Sequence, residues 1–291
     1  NYFFRVFQGN FKTEAGRRFL YFLCHFLWFI PLLSVRFSSE TWSGLIFLFS
    51  LALYFSKNHE KLSFLIGIAL GFSFLFRYQI AFAILGFLLW LLIIEHKNLG
   101  FFLKTGMGLF LAIVFGFFID SWFYGEPVIV PWNYFKDTVL ENAGSGFGTS
   151  PWYFYFVKLV SYPGYPIGLL LVISFGFLLI KHPRNVLLWS FLPFLLIHSI
   201  VPHKEERFLF PVVFLFPVVL AFFLEYLYIR LRDLNLMVFI FKTMIAILVI
   251  INLAGSSAMA LKAAGFGRIE MTRYIHQQFG HKEISLVYTD W

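Results

Sequence analysis

Five consecutive ionisable residues, His203, Lys204, Glu205, Glu206 and Arg207, stand between two apolar stretches in the segment PHKEERFLFP, Pro202 to Pro211. Charge at membrane depth is costly and tends to be kept for function. If this segment opens the next helix, His203 and Arg207 lie one turn apart on a shared face. Cations so placed can clamp a phosphate, and arginine can do so through two parallel hydrogen bonds. Glu205 and Glu206 can balance those cations or orient a sugar hydroxyl. The plainer alternative is a helix-end cap whose Lys and Arg snorkel to headgroups. Asp120 closes the apolar stretch 101–119. There it can serve as a base, a metal ligand or a sugar-binding group, or cap the structure that follows. Arg77 interrupts another apolar run, where it can attract an anionic headgroup or simply snorkel. His198, one turn before Pro202, reads as a core histidine beside the cluster. The other histidines have no partner spacing. HExxH, paired CxxC and P-loop patterns do not occur, so no metal or nucleotide-phosphate motif is present.

The elements that must position these residues are membrane helices. The chain has 291 residues, 60% hydrophobic and 13% charged, against about a quarter charged in soluble domains. Forty-three phenylalanines leave too little polar surface for a water-soluble fold. The single Cys24 excludes an internal disulfide framework. The net charge of +8 is scattered thinly between apolar runs, which suits topology signals rather than a nucleic-acid surface. A spanning helix needs roughly 20 apolar residues. Candidate spans are 19–35, 41–56, 62–76, 79–94, 101–119, 165–180, 186–201, 208–228 and 236–254. Only Arg77 and Tyr78 separate the third from the fourth, which predicts either a tight hairpin or one broken helix. Lys and Arg favour cytoplasmic loops at 1–18, 57–61, 95–100, 181–185 and 229–235. The opposite side then receives 36–40, Arg77–Tyr78, 120–164, 202–207 and 255–291. The 120–164 loop is long and rich in Gly, Pro and aromatics, a composition for a functional interfacial segment rather than a disordered one. The predicted architecture is thus an all-α polytopic membrane protein. A transmembrane domain covers 1–258, and a water-facing segment begins at 259–291 with an amphipathic stretch and a strand-like run, 284–288. The start at Asn1 and the end at Trp291 read as those of a fragment.

HKEERFLFP at 203–211 resembles the signature of the lipid-linked-sugar mannosyltransferases of glycosyltransferase family 22, which act in N-glycan precursor and GPI-anchor assembly. DSWFYG at 120–125, PWNYFK at 131–136 and GTSPWYFYF at 148–156 resemble that family's large lumenal loop. SSETWSG at 38–44 and FLFRYQ at 74–79 match more loosely. The resemblance covers most of the chain. It implies a clan C glycosyltransferase bundle with interfacial loops. It also implies inverting transfer of mannose from a polyprenyl- or dolichyl-phosphate donor to a glycan or glycolipid acceptor, with no cofactor and no required metal. An acidic motif in the family's first non-cytoplasmic loop, expected before residue 1, is thought to supply the base.

Inversion needs a base for the attacking hydroxyl, a stabilised leaving phosphate and a dry, aligned pocket. We therefore assign His203, Lys204 and Arg207 to the donor phosphate, with Glu206 beside them. Asp120 and Glu205 are candidates for base work or acceptor contacts. Trp132, Asn133, Trp152 and Tyr153 are candidates to line the sugar pocket, and the lipid tail is expected in a groove between spans. Rival readings are a clan C transferase of another lipid-linked sugar, a lipid-linked glycan transporter or flippase, and a scaffold subunit. The absence of an N-x-S/T sequon and the short loops lean toward a bacterial cytoplasmic membrane over the endoplasmic reticulum.

Overall fold

A computed structural model describes residues 2–141, 146, 148–261 and 266–280. Its α-helices, in chain order, are α1 Tyr2–Phe7, α2 Glu14–Phe26, α3 Phe29–Val35, α4 Ser39–Tyr54, α5 Ser63–Phe76, α6 Ala81–Ile93, α7 Leu99–Tyr124, α8 Val130–Phe135, α9 Phe154–Ser161, α10 Tyr165–Lys181, α11 Val186–Ile200, α12 Phe210–Val213, α13 Phe216–Leu231, α14 Asn235–Leu261 and α15 Phe266–Phe279. No strand occurs among the described residues, and the strand-like run 284–288 lies outside them. Four helix starts follow from side-chain caps. Thr13, Ser38, Asn98 and Asn185 each accept a hydrogen bond from a backbone N–H of the first turn.

All nine apolar stretches are helical, yet they do not form nine straight crossings. Among the described residues only α7 and α14 are individually long and apolar enough to cross a membrane. Three more apolar helix pairs are bent at a short break, each a broken span or a re-entrant turn: α2 with α3 at 49°, α10 with α11 at 119°, and the segment Glu206–Val213 with α13 at 63°. A break in an apolar helix frees backbone groups that must find other partners. At the α2–α3 break Asn252 of α14 supplies them. Its carbonyl oxygen accepts from Trp28 N at 2.8 Å and its amide donates to Phe26 O at 2.6 Å.

The 62–94 region is not a tight hairpin. Helix α5 packs between α4 and α7, while α6 packs against α11. Small residues let these backbones meet. A Cβ on Gly67 would overlap the Thr105 carbonyl oxygen, and one on Gly108 would overlap that of Phe64. Gly86 of α6 lies against the Trp189 carbonyl in the same way. Pro193 has no N–H, so it leaves that carbonyl without its usual helical donor.

Long-range contacts sort the loops into two ends, as the predicted alternation requires. At one end Tyr54 donates to Glu95 at 2.9 Å, Lys97 pairs with Glu60 at 2.7 Å, and Trp90 Nε1 donates to Arg184 O at 2.6 Å. Phe7 packs on Phe55 there, 5.1 Å between ring centroids. At the other end Arg77, Glu40, the 148–158 stretch and the charged cluster come together.

Candidate functional site

The cluster does not open an α-helix. Residues 201–205 are irregular, Glu205 is extended at φ −130°, and a 3-10 turn covers Glu206–Leu209 before α12 begins. His203 and Arg207 therefore do not share a helical face. They meet instead on one carboxylate. Glu205 accepts from Arg207 Nε at 2.5 Å and from Arg207 Nη2 at 3.0 Å, and its Oε1 lies 3.2 Å from His203 Nε2. The Arg207 guanidinium, with His203 adding to it, holds the Glu205 carboxyl below the usual carboxylate range.

The same segment clamps the long loop. Ser150 N donates to Pro202 O at 3.0 Å, and His203 Nδ1 lies 2.9 Å from Gly148 O. Lys204 is turned inward, 7% exposed, and donates to Ser150 O at 2.9 Å and Val201 O at 2.5 Å. Burial pushes its ammonium pKa down. Lys158 of α9 pairs with Glu206 at 2.6 Å. All five cluster side chains thus hold one another or the loop. The Arg207 side chain also remains 56% exposed.

Arg77 and Glu40 sit next to the cluster. The Arg77 guanidinium lies 3.6 Å from Glu40, which is buried in the first turn of α4, where a carboxylate also suits the helix dipole. A Cβ on Gly44, one turn later, would overlap the Pro211 carbonyl, so α4 and α12 pack backbone to backbone there. The guanidinium carbons of Arg77 and Arg207 lie 5.2 and 5.9 Å from the Phe208 ring centroid.

Helix α8 completes this end through Tyr134. Its hydroxyl accepts from Gln79 Nε2 at 2.6 Å, and its ring lies 5.4 Å from that of Tyr78. Asp120 does not end its helix. Helix α7 runs on to Tyr124 and stops at Gly125, whose φ of +75° suits glycine. Ser121, not Asp120, accepts the Val128 N–H of the following loop at 3.2 Å. Asp120 makes no hydrogen bond or ion pair with the described residues, and its charge reaches Tyr78. The capping role is therefore excluded, and the carboxylate is left available.

Trp132, Asn133, Trp152 and Tyr153 all lie exposed. Trp132 rests on Phe135, and Trp152 packs edge-on to Tyr153 and Phe156. Outward-facing Trp and Tyr of this kind suit the membrane interface. Within PWNYFK, the residue that reaches the site is Tyr134, on another helical face from Trp132 and Asn133. Glu40, Gln79, Tyr134 and Tyr155 escaped the sequence reading. Two lay inside the weaker motifs, SSETWSG and FLFRYQ, without any spacing that pairs them.

An apolar groove of about 320 Å³ opens beside the cluster. Trp28, Leu33, Leu159, Leu209, Val213 and Met259 line it, and Arg36, Lys158 and Glu206 add charge.

The profile of the Alg9-like mannosyltransferase family matches residues 1–291. The chain belongs to that family. This Alg9-like chain is 34% identical over 106 residues to GPI alpha-1,2-mannosyltransferase 3 of Danio rerio, covering 35% of this chain and 19% of that protein. It is 35% identical over 135 residues to Alpha-1,2-mannosyltransferase ALG9 of Homo sapiens, covering 42% and 22%. It is 31% identical over 205 residues to a probable Dol-P-Man:Man(7)GlcNAc(2)-PP-Dol alpha-1,6-mannosyltransferase of Schizosaccharomyces pombe, covering 69% and 36%. The matched stretches thus span between about a fifth and about a third of those relatives. A fish, a human and a yeast relative lend no support to the expected bacterial membrane. No solved structure matches the chain.

Proposed function

We propose that this Alg9-like chain forms part of an enzyme that transfers mannose from a dolichyl- or polyprenyl-phosphate donor to a lipid-linked glycan. One observation carries the reading. The segment that bears Glu206 and Arg207 also walls the apolar groove, through Glu206, Leu209 and Phe210. A lipid phosphate needs this combination: an apolar channel for its chain and a cation at the mouth for its phosphate. The curated relatives carry mannosyltransferase names, and one names a dolichyl-phosphate-mannose donor.

In this scheme the isoprenoid lies in the groove and Arg207 faces the phosphate. The acceptor hydroxyl attacks C1 of the mannose. The C1–O bond to phosphate breaks, both electrons leave with the lipid phosphate, and the hydroxyl proton passes to a carboxylate. Asp120 suits that contact because no described residue occupies it. Glu205, engaged by Arg207 and His203 and held acidic, is the weaker base. The phosphate is itself the leaving group, so the reaction needs no cofactor. Lys204 acts at one remove, by fixing the loop. A transporter would instead place its polar groups at midplane breaks. The described ion pairs lie outside the bent-pair breaks at 27–28 and 214–215.

Arg207→Ala in the full-length enzyme tests the assignment. Loss of a charge-assisted hydrogen bond, worth about 1.5–3 kcal/mol, lowers turnover roughly ten- to hundredfold. Arg207→Lys keeps the charge but not the planar fork, and loses less. A well-folded Arg207→Ala enzyme with near-normal mannose transfer sinks the phosphate role.

A further inference from the structure

Beneath the cluster, four buried polar atoms have no hydrogen-bond partner among the described residues: Arg77 Nε, Gln79 Oε1, Tyr155 OH and His198 Nε2. A fifth such atom, Ser190 Oγ, lies about two turns earlier in α11. Buried polar groups are otherwise paired almost without exception. The four come from three separate elements. Arg77 and Gln79 flank the break between α5 and α6, Tyr155 belongs to α9, and His198 to α11.

Contacts bring them together. The Tyr155 and His198 rings pack edge to face at 6.4 Å. Phe82, one turn beyond Gln79, packs edge to face on His198 at 5.9 Å. The charge of Arg77 reaches both Tyr155 and His198. The Glu205 backbone N–H is near the Tyr155 hydroxyl without meeting hydrogen-bond geometry. Tyr155 is 0% exposed and His198 4%.

The four groups differ in what they ask of a ligand. Arg77 Nε can only donate. His198 Nδ1 lies 2.7 Å from the Phe194 carbonyl, which can only accept, so Nδ1 carries the hydrogen and the neutral ring offers Nε2 as an acceptor. The Tyr155 hydroxyl does either. The Gln79 amide uses one end on Tyr134 and keeps the other buried, whichever way round it sits. A phosphate oxygen can answer Arg77 but meets the His198 lone pair with lone pairs of its own. A hydroxyl-bearing ring answers both, because each hydroxyl donates and accepts. Glu40 already balances the charge of Arg77, so the ligand need not be an anion.

We propose that Arg77, Gln79, Tyr155 and His198 form a hydroxyl-binding subsite for a hexosyl group, an inference that rests on the mannosyl-transfer reading. The test measures binding to the full-length protein in nanodiscs. The probes are polyprenyl-phosphate-mannose, bare polyprenyl phosphate and methyl α-mannoside, the last standing in for an acceptor sugar. Tyr155→Phe removes one oxygen and keeps the ring. His198→Phe keeps the stack on Phe194, 4.0 Å between centroids. Each variant should weaken the mannosyl lipid about three- to tenfold and leave the bare lipid unchanged. A loss confined to methyl α-mannoside assigns the subsite to the acceptor sugar. Tyr155→Phe should also melt at or above the wild-type temperature, because the oxygen removed has no hydrogen-bond partner among the described residues. Equal weakening of both lipids, or no change with any probe, overturns the subsite while leaving the transferase reading intact. Wild-type protein that binds neither lipid overturns that reading and the subsite with it.

Discussion

Ser43 and Ser73 exchange hydrogen bonds across α4 and α5, with Ser43 Oγ on Ser73 O at 2.9 Å and Ser73 Oγ on Ser43 O at 2.7 Å. Thr105 of α7 donates to Ser63 O at 3.1 Å. One or two turns away, around the Arg77 break, four buried polar atoms have no such partner. Both regions put polar groups among apolar side chains, so burial alone does not separate them. Satisfaction does. In the α4–α5–α7 layer Ser43, Ser73 and Thr105 each find a carbonyl on a neighbouring helix, and glycines bring the backbones close enough to reach. Around Arg77 the helices diverge, since α5 stays with α7 while α6 leaves for α11. That divergence leaves the polar groups at the break without a neighbouring helix backbone to pair with. The first region is built for its own stability, and the second has hydrogen bonds left to give.

The largest expected effect breaks the closed region. Gly67→Leu should cost more than about 3 kcal/mol, the upper range for overpacking a close interface, because the new side chain meets the Thr105 backbone. Gly106→Leu on the same α7 has open space around it and should leave the melting temperature nearly unchanged. Thermal unfolding in detergent compares the two. Similar losses from both would refute a backbone-to-backbone interface.

A smaller effect probes how the open region is held. Lys204→Met removes the ammonium that bridges Ser150 O and Val201 O. Those two bonds involve a charge, so the loop should open about ten- to hundredfold more often. The Ser150 amide, which donates to Pro202 O, reports this directly by hydrogen exchange. Unchanged exchange at Ser150 would mean that the loop is held elsewhere.

The smallest effect is a pH dependence. The folded Glu205 carboxyl lies below its ordinary value of 4.5. Its contribution is therefore fully present above that value and fades as pH falls through the lowered one. Glu205 is partly exposed, and a screened pair contributes at most about 1 kcal/mol. Exchange at Ser150 should stay flat from pH 7 to 5, once corrected for intrinsic chemistry, and rise less than about tenfold below pH 4. Glu205→Gln should abolish that rise. A rise that persists in the variant would trace the acid sensitivity to another group.

Much of this was legible in the chain before folding. Apolar stretches long enough to be helices, polar Ser, Thr and Asn at their starts, and the basic bias of alternate loops all follow from local composition. So does the family resemblance, which rests on contiguous motifs. The glycines at positions 67, 71, 108 and 116 were equally visible, but helical spacing of small residues does not name the partner helix. Straight crossings were less legible, because the breaks at 27–28 and 214–215 carry no charge to mark them. The cluster at 203–207 was plain as a concentration of charge, and its internal pairing was not.

Residue types and local periodicity decided that this is an all-α membrane protein with its charges mostly at the helix ends, because desolvation of a peptide or a charge depends on the residue and its immediate neighbours. Tertiary structure alone decided which of those charges are spent. Lys204 turns in because the carbonyl of Ser150 comes back to it across 54 residues, Glu40 meets Arg77, and Tyr134 rather than Trp132 reaches Gln79. Hydrogen bonds are directional and act over a few ångströms, so their partners exist only once helices from distant parts of the chain have packed.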